Sequence, residues 1–139
     1  MKKELKNEAG QIFLTIEFDA LNQWVYANWS GYQTRASIRQ GADTYLEILV
    51  QYNCPYLLND NRLVAGPWSQ VTEWITQDWA PRAIAQGLTH FAHVISPESL
   101  ARLSAENLQY SIGASLQMQI FENAEKAKVW LQQVQRRIS

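Results

Sequence analysis

The sequence predicts an α/β domain built on a mixed, mostly parallel sheet, and three observations predict it. The apolar spacing starts with a period of two and then switches to 3.6 and back several times along the chain. The first two strand-like segments are joined by a short turn, whereas the later ones are separated by helix-length stretches. The chain is 139 residues long, with 47% apolar and 18% charged residues, which is the size and composition of one globular domain. That domain is expected over residues 11–139, behind a flexible N-terminal segment of residues 1–10.

Ile12, Leu14, Ile16 and Phe18 alternate with Phe13, Thr15 and Glu17, which is the pattern of a half-buried strand. Asp19 to Asn22 reads as a turn, and Gln23 to Ser30, rich in Trp, Tyr and Val, completes an antiparallel hairpin. Trp24 and Tyr26 share a face of that second strand and Trp29 takes the other, so both faces need cover. From Thr34 to Tyr52, the stripe Ile38, Ala42, Tyr45, Leu46, Leu49 and Tyr52 marks an amphipathic helix. Gly41 inside it weakens the helix by about 1 kcal/mol relative to Ala.

Pro55-Tyr56-Leu57-Leu58 is a continuous apolar run ending in Asn59-Asp60-Asn61, as suits a central strand closed by a polar turn. Gly66-Pro67-Trp68 opens a second helix, with Val71, Trp74, Ile75 and Trp79 inward, and Pro81 either kinks or interrupts it before Gly87 ends it. Thr89 to Ile95 is a strand, and Ser96-Pro97-Glu98 starts a helix carrying Leu100, Leu103 and Leu108. Leu116 to Phe121 is the last strand, followed by a helix with the stripe Ala124, Ala127, Leu131, Val134 and Ile138. The predicted order is β-β-α-β-α-β-α-β-α.

Several function classes lack support. Net charge is −1 and the twelve Lys and Arg are scattered, so there is no basic stripe for nucleic acid. The single cysteine, Cys54, has no partner for a disulfide and reads as a small buried hydrophobe. No apolar run approaches the ~20 residues of a membrane span, and the charged opening residues lack the apolar stretch of a signal peptide. A cytoplasmic location is expected. His90 and His93 stand three apart on a strand, so they face opposite sides and cannot share a metal. Neither a Gly-x-Ser-x-Gly elbow nor a Gly-rich phosphate loop is present, so no catalytic residue, metal or cofactor is assigned.

The element order, together with Trp29-Ser30-Gly31-Tyr32-Gln33, Leu58-Asn59-Asp60-Asn61, Gly66-Pro67-Trp68-Ser69 and Asp78-Trp79-Ala80-Pro81-Arg82, resembles the STAS domains. That family is named for sulphate transporters and anti-sigma-factor antagonists. The likeness runs from about Ile12 to Ile138 and is strongest to small stand-alone bacterial members of the STAS/SEC14 or SpoIIAA-like type. It implies a non-enzymatic regulatory or protein-interaction role. One departure stands out. Antagonist domains close the central strand with an Asp-Ser-Ser-Gly-like turn whose serine is phosphorylated, whereas this chain has Asn59-Asp60-Asn61 there and Ser69 as the nearest serine.

In open α/β sheets ligands gather at the carboxyl ends of parallel strands. Asn59, Asp60, Asn61, Trp68, Ser69 and Ser96 are therefore candidates to hold a partner or ligand. The Asn-Asp-Asn run reads equally as a self-capped turn, and Ser69 either as a phosphosite or as a first-turn cap. Trp68, Trp74 and Trp79 either wall a cleft for a small apolar ligand or pack on the sheet. Arg82 either reaches an anion or forms a surface ion pair. Three functions remain open: a STAS-like interaction module, a small hydrophobic-ligand binder with a Trp-lined pocket, and a structural homodimer joined through the hairpin or last helix.

Overall fold

A computed structural model describes residues 1–65, 69–96 and 101–138. Six strands form one sheet in chain order: β1 (Lys2–Lys6), β2 (Ile12–Asp19), β3 (Trp24–Tyr32), β4 (Tyr56–Ala65), β5 (His90–Val94) and β6 (Gln117–Phe121). The first three are antiparallel, and β3 through β6 run parallel. The α/β class and the mixed sheet are as predicted.

The N-terminal segment departs from expectation. Lys2–Lys6 is not a flexible lead-in but an edge strand, paired to β2 from Lys2↔Glu17 to Lys6↔Ile12. Only Leu5 in it is buried, so its structure comes from backbone pairing and not from a side-chain pattern. Charged residues on such an edge discourage further strands from adding to it.

One face of the sheet carries α1 (Arg35–Gln51), a helical run at 72–85, and α4 (Ala101–Ile112). The other face carries α5 (Ala124–Ile138), which packs on β4, β5 and β6. Thr34 caps α1, accepting from the Ser37 amide while the Ser37 hydroxyl accepts from the Thr34 amide, which satisfies two otherwise unpaired donors. Ala127, Leu131 and Val134 of α5 are buried as its stripe predicts. In α4 the buried residues are Ser104, Ala105, Leu108 and Ile112, whereas Leu103 is exposed. Leu100 lies outside the described residues.

Pro81 neither breaks nor ends the second helix. A 3-10 turn (Ser69–Val71) leads into α2 (Thr72–Trp74), then a π-helical turn (Ile75–Trp79), then α3 (Ala80–Ala85). The Ala80 N–H donates to Ile75 O in the wide turn, and Pro81, which has no N–H to give, falls in the first turn of the following α segment. Gly87, at φ 110°, then lets the chain turn away.

Gly41 has a reason that helix propensity hides. A Cβ there would collide with Trp29 Cη2 and stand 2.6 Å from Leu14 Cδ2, so α1 sits against β2 and β3 only because the side chain is missing. Gly41→Ala should therefore destabilise by about 1–2 kcal/mol, since overpacking outweighs the gain in helix propensity. Urea unfolding of the variant measures this, and an equal or higher midpoint would contradict the close approach.

Candidate functional site

The aromatic residues of β3 are covered by the chain itself. Trp24 and Trp29 are both buried, so the hairpin does not present them as a self-complementary patch. Trp29 meets Tyr45 edge to face, Tyr45 meets Trp79 likewise, and Trp79 meets Phe91. The Trp79 indole N–H donates to Ala42 O at 3.0 Å, tying the π-helical turn to α1. Trp79 thus packs on the sheet and is also a wall of a cavity. Trp68 lies outside the described residues, and so does the Ser69 side chain.

Asn59, Asp60 and Asn61 are not a turn. They continue β4, are all buried, and divide between the two faces by strand alternation. Local preference loses here because distant partners satisfy these side chains. On the α1 side, the Trp29 indole N–H donates to Asn59 Oδ1 at 2.8 Å. Asn59 Nδ2 donates to His93 Nδ1 at 3.1 Å and to Asn61 Oδ1 at 3.3 Å. With Nδ1 accepting, the neutral His93 ring carries its proton on Nε2. Burial pushes the His93 pKa down to about 4, against a weaker opposing pull from the Asp60 charge.

These groups floor a cavity of about 40 Å³ at the carboxyl ends of β4 and β5. Its walls include Trp29, Tyr45, Trp79 and Phe91, and its polar groups are Gln33, Asn59, Asn61 and His93. A water needs roughly 10–15 Å³ of such space, so the cavity holds on the order of three waters and not a large apolar ligand.

On the opposite face Asp60, 1% exposed, joins a second network. The Tyr26 hydroxyl donates to Asp60 Oδ2 at 2.8 Å, and Arg62 donates through Nε to Oδ1 at 3.0 Å and through a terminal nitrogen to Oδ2 at 2.7 Å. The Arg62 amide adds a bond to Oδ1 at 3.1 Å. Burial works to raise the Asp60 pKa, but the bonds from Arg62 and Tyr26 outweigh it and hold the carboxyl below its usual value. Burial, helped by Asp60, pushes the Tyr26 phenol up to about 12.

Arg82 lies in α3, where it pairs with Asp43 at 2.7 Å and with Asp78 at 3.0 Å on the surface. Ser96 follows β5 and is half-buried, while the Pro97-Glu98 helix start is outside the described residues. His90 sits between Tyr56 and Trp130 on the α5 side, opposite His93, as strand alternation requires. Burial raises the Cys54 pKa, consistent with a buried, unreactive thiol.

The sequence reading missed Tyr26, Trp29, Arg62 and His93 as members of the two networks. The available signal was polar residues directly continuing an apolar strand, with aromatic donors on its hairpin neighbour. No described helix is long and apolar enough to cross a membrane. No family model matches the chain, and no curated protein or solved structure matches it either.

Proposed function

We propose that this chain is a STAS-like, non-enzymatic interaction module, akin to anti-sigma-factor antagonists, that docks a protein partner on the part of its sheet that α5 leaves bare. One observation carries this reading. Tyr32 is 82% exposed and Leu63 is 62% exposed, and they lie on neighbouring strands beside Arg62. Leu63 pairs with Ser30 in the β3–β4 ladder, and Tyr32 lies two residues further along β3, paired with Ala65. Tyr and Arg are the side chains that most often anchor protein interfaces, and Asp60 holds this arginine in one pose. Asn59 and Asn61 support the strand from within and do not touch the partner themselves.

A photo-crosslinking residue at position 32 should give one discrete adduct in native lysate, lost with Leu63→Asp. The same group at Tyr110, exposed on α4, should give none. Identical adducts from both positions, or no adduct at 32, would remove the proposal.

The cavity favours a second reading, a small-ligand binder. Its size restricts the occupant to a few atoms or to the head of a larger molecule.

A further inference from the structure

We infer that the cavity between β4, β5, α1 and the π-helical turn selects an uncharged ligand head of about four non-hydrogen atoms, recognised by the Asn61 amide. The inference rests on reading this cavity as a ligand site.

On the α1 face of the sheet three polar side chains, Asn59, Asn61 and His93, are buried among apolar and aromatic ones. Buried polar groups weaken a fold unless they are bonded, and departures from an apolar interior concentrate where function needs them. Asn59 is held by Trp29 and bonded to His93 Nδ1. Asn61 accepts from Asn59 at Oδ1, while its Nδ2, which keeps contact with solvent, donates to no described residue and the side chain lines the cavity. A carbonyl or hydroxyl oxygen placed there would complete the network.

Among the described residues the lining contains no Asp, Glu, Lys or Arg. Burial keeps His93 neutral at physiological pH, and burial likewise raises the Tyr45 pKa and keeps that phenol protonated. A charged ligand would therefore lose its hydration with no counter-charge to replace it. Four aromatic rings in the lining, Trp29, Tyr45, Trp79 and Phe91, suit a flat head such as an amide.

Acetamide, acetate and acetamidinium have nearly the same shape and carry zero, negative and positive charge, so they separate size from charge. NMR of the Asn59 and Asn61 side-chain amides and of the Trp29 and Trp79 indole N–H groups reads the cavity directly. Acetamide should shift these signals saturably with a Kd on the order of millimolar, as expected for so few atoms. Acetate and acetamidinium should bind at least about tenfold more weakly. Asn61→Leu should abolish the acetamide response, and Asn61→Ser, which adds no bulk, should weaken it while the fold is kept. Equal binding of a charged analogue would overturn the selectivity and leave the ligand site standing. No saturable shift with any of the three would overturn the ligand site itself and leave the cavity to water.

Discussion

Lowering the pH from 7 to 4 is expected to cost the fold about 3 kcal/mol through His93 alone. The ring is buried between Asn59 and Phe91, and burial holds its pKa near 4. In the unfolded chain the same group titrates near its ordinary value of 6.5. Between those two values the unfolded state takes up a proton that the folded state refuses. Stability is therefore fully present above about pH 6.5, falls by roughly 1.4 kcal/mol per pH unit below it, and flattens below about 4. His93→Gln retains an acceptor for Asn59 and removes the titration. Urea unfolding at pH 7.5 and 4.5 should show a smaller stability loss for the variant by about this amount. The same pH dependence in both proteins would mean that the ring is hydrated in the folded state.

Asp60→Ala is expected to destabilise by about 2–3 kcal/mol, below the ~3–5 of a fully buried pair because water reaches the Arg62 guanidinium. The substitution leaves the Tyr26 hydroxyl and three Arg62 nitrogens without the carboxylate that joins them. Adding Arg62→Met should recover part of the loss, because the arginine then has no missing partner. If the two losses simply add, the network is not coupled. The Asp60 pKa is depressed, so its contribution is present above the ordinary carboxylate range and fades as pH falls through the lowered value. That fading lies below the His93 window, which keeps the two effects separable.

Much of the architecture was legible because it rests on spacing. The stripe from Ile38 to Leu49 buries one face of α1, and Leu14 and Ile16 are buried in β2 as their alternation predicts, although a register shift beside them exposes Ile12 and buries Phe13 instead. The edge strand β1 was not legible, since Lys2-Lys3-Glu4-Leu5-Lys6 holds one apolar residue and is ordered by its neighbour. Asn59-Asp60-Asn61 favours turns by local chemistry, and only Tyr26, Trp29, Arg62 and His93, remote or adjacent, keep it extended. The π-helical turn that accommodates Pro81 leaves no mark in periodicity over five residues. In α4 the small residues Ser104 and Ala105 face inward because the helix lies close to its neighbours, so counting large apolar residues picks the wrong side at Leu103.

The strands lie side by side in the order in which the chain supplies them. Each ladder therefore joins segments that are nearest neighbours along the polypeptide, and no strand waits for one made much later. During synthesis the hairpin β2–β3 can form first, and β4, β5 and β6 can then add in turn at the growing edge. The slow closures are the three parallel pairings, β3 with β4, β4 with β5 and β5 with β6, because each must span a helix-length stretch that is ordered before the pairing rewards it.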